Sequence, residues 1–202
     1  VTWVKVCGLT READVALAVE AGADAVGFVV SDRSPRGISV ARAAALMEGV
    51  PRVRVVVTVD VPPAVAVRIL EATGADGIQP HGRHGEAVAE VAHRRGSFVL
   101  RPIPVAAEGP LLDPSEVPEE QVPIFDVADP RHGGTGRRLD WSSLPAVHRR
   151  FVLAGGLGPA NVAAAVREVR PWGVDASSGL EAAPGVKDRG KVVAFIEEAK
   201  RA

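Results

Sequence analysis

The strongest constraint on this chain is a rhythm. A short apolar run, a loop and an alanine-rich helical stretch recur along its length. The spacing predicts strands at Trp3–Cys7, Ala25–Val30, Val53–Val59, Gly77–Gln79, Phe98–Arg101, Val122–Val127, Phe151–Ala154 and Gly173–Ala176. Several are continuous β-branched runs such as RVRVVVTV, the pattern of strands buried on both faces. Helical patterns fall between them at Glu12–Glu20, Val40–Glu48, Pro63–Ala72, Glu86–Arg94, Pro159–Glu168 and Lys191–Lys200. Pro62, Pro63 and Pro159 stand at helix starts, and Gly22, Gly74 and Gly96 just past helix ends. GADAVGF (Gly22–Phe28) and GADGIQP (Gly74–Pro80) each lead a helix into the next strand in the same way. Eight strands leave about 25 residues per βα unit, close to the lower limit of a (β/α)₈ barrel, whereas a doubly wound open sheet needs only about five or six strands. The expected fold is therefore α/β, a single (β/α)₈ barrel domain over residues 1–202. Four prolines in Ala106–Pro123 predict a short or missing fifth helix, and the sixth, after Asp140, looks brief. Trp3 and Trp172 precede the first and eighth strands, which adjoin in a closed barrel, so the two indoles should meet at the amino-terminal face.

Composition narrows the function. A formal net charge of −1 gives no electrostatic footprint for nucleic acid or an anionic membrane. No apolar run approaches the ~18 residues of a membrane span, and no signal-peptide core opens the chain. One cysteine cannot form an intrachain disulfide, which fits a reducing compartment, so a cytoplasmic location is expected. The five histidines show no metal-ligand spacing, and no metal is expected. Arg94-Arg95 and Arg149-Arg150 read as cationic ends of helices. No nucleic-acid or membrane partner is expected, and the chain is read as a monomer.

In a barrel of this kind the carboxyl ends of the strands share one mouth, where ligands bind. VKVCGLTR (Val4–Arg11) puts Cys7 at the end of the first strand; Thr10 is positioned to cap the helix that follows, with Glu12 and Asp14 in its first turn. Arg36 falls in the loop after strand two, Gln79 and His81 after strand four, and Arg101 after strand five. Asp126 ends strand six directly after the apolar VPIF, while Asp129-Pro130 reads as a turn. Strand seven runs into LAGGLGPAN and strand eight into VDASSG, which carries Asp175. Gly155 and Gly156, with no Cβ, let a phosphate approach backbone N–H groups, and Ser177 and Ser178 add donors after strand eight. HGGTGRRLDW (His132–Trp141) lacks the P-loop pattern and reads as a loop able to close over the mouth.

VKVCGLTR, GADAVGFV, SPRGIS, GIQPHG, FD with HGGTGRRLDW, LAGGLGPANV and VDASSGLEAAPGVKD recur in this order in phosphoribosylanthranilate isomerases of tryptophan biosynthesis, and the chain resembles that family from Val4 almost to its end. The resemblance implies a cofactor-free (β/α)₈ barrel that converts N-(5-phosphoribosyl)anthranilate to the 1-deoxyribulose 5-phosphate derivative by an Amadori rearrangement. It implies that Cys7 is the general base, Asp126 the general acid and Arg36 the partner of the anthranilate carboxylate. It also implies that Gly155–Gly156 and Ser177–Ser178 grip phosphate. Gly37, Thr58, Asp60, Pro80 and Arg101 depart from the family's usual residues and bear on the shape of the anthranilate pocket.

The chemistry asks for the same groups. An acid protonates the ribose ring oxygen to open an iminium; a base then takes the C2 proton, giving an enolamine that becomes the ketone. The base must be a thiolate rather than a thiol. A dual-substrate isomerase also serving histidine biosynthesis would usually carry Asp in place of Cys7 and a second phosphate site, yet DVPPAV after strand three has no glycine. A ribulose-phosphate epimerase would need a metal-binding His/Asp set at the strand ends. A non-catalytic phosphosugar-binding barrel would have no use for both Cys7 and Asp126.

Overall fold

The computed structural model describes residues 1–128 and 138–202. Eight parallel strands form a closed ring: β1 (Trp3–Val6), β2 (Ala25–Val30), β3 (Val53–Val59), β4 (Gly77–His81), β5 (Phe98–Ala106), β6 (Val122–Val127), β7 (Val152–Leu153) and β8 (Gly173–Ala176). Each pairs with its neighbours in sequence, β8 pairs with β1, and the β4–β5 pairing completes the ring. Outside it lie α1 (Glu12–Glu20), α2 (Val40–Met47), α3 (Pro63–Thr73), α4 (Gly85–Arg94), α5 (Val162–Val169) and α6 (Arg189–Arg201). The expected (β/α)₈ barrel is the observed one.

Two helix positions are filled differently. The fifth is reduced to a 3₁₀ turn, Pro114–Glu116, and the sixth to another, Trp141–Ser143. The expected helical end at Arg149-Arg150 is absent, because no helix leads into β7. Instead the Arg149 guanidinium donates to the carbonyls of Val117, Pro118 and Gln121, satisfying backbone that a fifth helix would have paired. Arg150 lies over the Trp172 ring.

Smaller departures have local causes. Thr10 does not cap α1; Arg11 is the N-cap without a side-chain bond, and the Thr10 hydroxyl donates to the carbonyl of Gly185 at 2.6 Å. Pro159 does not start α5, which begins at Val162, because the Asn161 side chain is engaged by the turn before it. Strand β5 runs five residues past Arg101, through Pro102 and Pro104. Val105 O accepts from Ala128 on the β6 side and Pro104 O from Leu111 on the other, so the prolines lack their N–H groups on the side that β4 has already left.

Strand alternation stacks the barrel interior in layers. The amino-terminal end is plugged by Trp3 stacked on Trp172, ring centroids 5.0 Å apart, with Phe98 edge-on at 6.2 Å. The two indoles meet as expected, and Gly173 permits it: a Cβ there would lie 2.8 Å from the Trp3 ring. Val55, Leu100, Ile124 and Val152 fill the next level, and Cys7, Val29 and Val57 form the apolar part of the uppermost one. Among them Lys5 is fully buried.

Candidate active site

A pocket at the carboxyl end of the barrel is lined by Cys7, Arg33, Arg36, Gln79, His81, Asp126, Asp175 and Ser177, together with Val29, Val57 and Val59. All six residues proposed from the sequence for catalysis or for binding outside the phosphate turns therefore share one mouth. Arg101 does not join them. It follows the inward Leu100 on β5, so its guanidinium turns outward to the start of α4, where a Cβ on Gly85 would lie 3.0 Å from it. Thr58 and Pro80 also alternate away from the interior, since Val57, Gln79 and their next-but-one neighbours face it. Their departures from the family pattern leave the pocket wall untouched. Gly37 is dictated by the backbone: a Cβ there would sit 1.8 Å from Ser31 O. Asp60, at φ 54°, ties the rim together, accepting from Arg33 Nη1 at 2.5 Å and from the Arg83 N–H at 2.9 Å. Of the other histidines, His84 and His93 belong to the two ends of α4, His148 is exposed and His132 lies outside the described residues. The closing loop read at His132–Trp141 likewise lies outside them up to residue 137, as does Asp129.

Cys7 follows the last residue of β1, its N–H donating to Ala176 O at 2.9 Å. Its sulfur occupies the space over Gly27, where a Cβ would come within 2.7 Å of Sγ and 3.0 Å of Lys5 Cε. One level below, Lys5 Nζ donates to Asp175 Oδ1 at 3.0 Å and Gln79 Oε1 at 2.9 Å, and Gln79 Nε2 lies 2.9 Å from His81 Nε2. Lys5 and Asp175 are register partners across the β1–β8 seam. Burial alone would push the Lys5 ammonium down, yet Asp175 and Cys7 hold it above its usual value, so it stays charged. The Cys7 thiol is pushed up, first by burial and also by Asp175, with Lys5 and Lys187 opposing. In the free site it carries its proton at neutral pH. Asp126 sits on β6 with Oδ1 accepting from the Val127 N–H at 2.8 Å.

The glycine turns after β7 and β8 abut. Gly155 and Gly156 have φ of 85° and 70°, and a Cβ on Gly179 would lie 2.0 Å from Leu157 O. Asn161 fixes the first turn, Oδ1 accepting from Gly158 N at 2.8 Å and Nδ2 donating to Gly156 O at 3.1 Å. Ser177 opens a 3₁₀ turn (Ser178–Leu180) without capping it through its side chain. A short antiparallel hairpin follows, pairing Glu181–Ala183 with Val186–Lys187.

Sequence reading missed three residues here: Asn161, Glu181 and Lys187. Each stood inside a quoted motif, but its partners are distant in sequence or in the backbone of a turn. A larger groove at the opposite end of the barrel is lined by Asp24, Arg54, Asp76 and Lys200, whose charges pair with one another, and it brings no reactive group together. Among the described residues no group of three or more His, Cys, Asp or Glu could hold a metal ion.

Residues 4–198 match the family model of N-(5'-phosphoribosyl)anthranilate (PRA) isomerase. The chain belongs to this family. The N-(5'-phosphoribosyl)anthranilate isomerase of Thiobacillus denitrificans is 44% identical over 202 residues, covering 98% of this chain and 97% of that one. That of Geobacter sp. (strain M21) is 42% identical over 207 residues, covering 99% and 98%. Among solved phosphoribosyl anthranilate isomerases, that of Thermus thermophilus superposes with a TM-score of 0.87 at 35% identity, covering 99% of each chain. Another, in complex with reduced 1-(o-carboxyphenylamino)-1-deoxyribulose 5-phosphate, does so at 0.82 and 32% identity over the whole of both chains.

Proposed function

We propose that this phosphoribosylanthranilate isomerase family member converts N-(5-phosphoribosyl)anthranilate to 1-(2-carboxyphenylamino)-1-deoxyribulose 5-phosphate in tryptophan biosynthesis, with Asp126 as general acid and Cys7 as general base. One arrangement carries the assignment of roles. The glycine turns after β7 and β8 lie between the strand that bears Asp126 and the strand that ends at Cys7, with Arg36 beyond Cys7 in the loop after β2. A 5-phosphate held at Gly155, Gly156, Ser177 and Ser178 brings the ribose ring between acid and base. The anthranilate then extends toward Arg36, whose guanidinium answers its carboxylate.

Protonated Asp126 gives its proton to the ring oxygen as the C1–O bond breaks, and the anthranilate nitrogen supplies the electrons that form the iminium. Cys7, once its own proton has passed to solvent, takes the C2 proton as thiolate, and the C2–H electrons neutralise the iminium to an enolamine that tautomerises to the ketone. Lys5 is the buried cation nearest to the thiolate once it forms, and Gln79 and Asp175 hold its ammonium in place. His81, beside Gln79 on the pocket wall, contacts the substrate. A bound acid–base pair of this kind contributes about 10²–10⁴-fold per group.

Loss of substrate followed by anthranilate fluorescence tests the reading. The purified chain should turn over, Asp126→Asn should lose about 10²-fold or more, and an inactive native chain or an unaffected Asp126→Asn would overturn it. No helix among the described residues is long and apolar enough to cross a membrane. On the single cysteine and the biosynthetic family we propose a cytoplasmic location, and we propose a monomer as the working form. A solved relative from Thermotoga maritima is described as monomers generated from a dimeric enzyme, so sedimentation is the measurement for the second point.

A further inference from the structure

Beyond the reacting groups, three charged side chains lie buried against the mouth, and two of them, Glu181 and Lys187, are left unused by the chemistry. Arg36 donates from Nε and Nη2 to the two carboxylate oxygens of Glu181, both at 2.7 Å. Lys187 Nζ donates to Glu181 Oε1 at 3.0 Å and to the carbonyl of Ser177 at 3.1 Å. All three residues are below a tenth exposed. The hairpin carrying Glu181 and Lys187 is fixed from outside: Lys187 N donates to Asp14, Lys191 to the Glu181 carbonyl and Thr10 to the Gly185 carbonyl.

Two features give this cluster a direction. The first is charge: two cations share one carboxylate, leaving a positive charge in excess beside a pocket that Arg36 and Ser177 both line. A buried excess charge is costly unless an anion answers it. The second is convergence: a Cβ on Gly8 would come within 2.5 Å of Arg36 Cδ and 2.7 Å of Ser177 Oγ, so the two side chains pack over one stretch of bare backbone.

We propose that Glu181 and Lys187 are positioning residues that brace Arg36 against the Ser177 turn, setting the separation at which the mouth takes a ligand with a carboxylate at one end and a phosphate at the other. Glu181 occupies one edge of the Arg36 guanidinium in a bidentate pair, which fixes the plane of the group and turns its remaining nitrogen to the ligand. Lys187 continues the brace to the backbone of the phosphate turn. Burial alone would raise the Glu181 carboxyl, but the Arg36 bonds and the Lys187 charge bring it below its usual value, so the brace is ionised at neutral pH. The proposal rests on the reading of Arg36 as the carboxylate's partner.

Calorimetric binding to the purified chain separates the two. The probes are reduced 1-(o-carboxyphenylamino)-1-deoxyribulose 5-phosphate, which carries both anions, and inorganic phosphate, which carries one. Glu181→Gln should weaken the first by at least about tenfold and phosphate by less than about twofold, with the loss in turnover falling on KM. Glu181→Asp, which keeps the charge on a shorter arm, should lie between and covers the case in which the glutamine variant does not fold. In an Arg36→Met background, Glu181→Gln should cost almost nothing further, because the brace has nothing left to hold. An equal loss for both probes, or a full additional loss in the Arg36→Met background, would make Glu181 merely structural and overturn the proposal. If Arg36→Met itself leaves the affinity for the two-anion probe unchanged, the reading of Arg36 fails, and the brace with it.

Discussion

At the scale of single residues, Cys7 is where a reactive group and a buried core cysteine have to be told apart. Its sulfur is held against Gly27 in a wall shared with Val29 and Val57, and burial keeps it a thiol. Alkylation requires the thiolate. Iodoacetamide should therefore react slowly with the free protein near neutral pH, with a rate still climbing through pH 9 and suppressed by a bound product analogue. Fast, ligand-insensitive labelling at pH 7 would contradict both the burial and the role. Cys7→Ala should melt close to the native protein yet lose roughly 10²–10⁴-fold in turnover, and Cys7→Ser should be nearly as poor because a hydroxyl ionises far less readily. Cys7 and Asp126 were legible from position alone, each ending an apolar run where a barrel opens. The partners of the neighbouring charges were not. Arg36 pairs with Glu181 across 145 residues and Lys5 with Asp175 across 170, and no local pattern encodes a contact of that span.

At the scale of elements, β2, β3 and β6 lie where their Val- and Ile-bearing apolar runs place them, since a strand buried on both faces has little else to be. Strand β5 extends further than its prolines suggest, because proline normally ends a strand; only the ring's pairing shows that the missing N–H groups of Pro102 and Pro104 face the edge that β4 has left. The missing fifth helix was legible from its prolines, but its substitute was not, since Arg149 works by reaching three carbonyls 28 to 32 residues away. Arg149→Met keeps the stem and removes the donors. It should lower stability by about 1.5–3 kcal/mol in urea unfolding, with turnover per folded molecule unchanged. Thr58 offers the opposite sign: its hydroxyl is buried with no hydrogen-bond partner among the described residues. Thr58→Val keeps the shape and removes the stranded polar atom, so stability should rise by about 1 kcal/mol; a fall would mean that the hydroxyl is satisfied in solution.

At the scale of the whole molecule the two ends of the barrel divide the labour. The indole plug carries apolar packing and no chemistry, whereas the mouth carries charge. Trp3→Ala should cost about 3 kcal/mol in unfolding and leave kcat/KM per folded molecule near native, the reverse of the pattern for Cys7. The seam between the first strand and the last has a consequence in time. Lys5 leaves a ribosome 170 residues before its partner Asp175, and Cys7 likewise well before Ser177, Glu181 and Lys187. Until synthesis reaches β8, the thiol lacks the strand that pairs with its own and the charges of Asp175 and Lys187, and should react as an ordinary exposed cysteine. A nascent chain is thus most vulnerable to oxidants at the very atom its finished form protects. Pulsed alkylation during refolding should show Cys7 becoming unreactive only in the kinetic phase that joins the two ends of the chain.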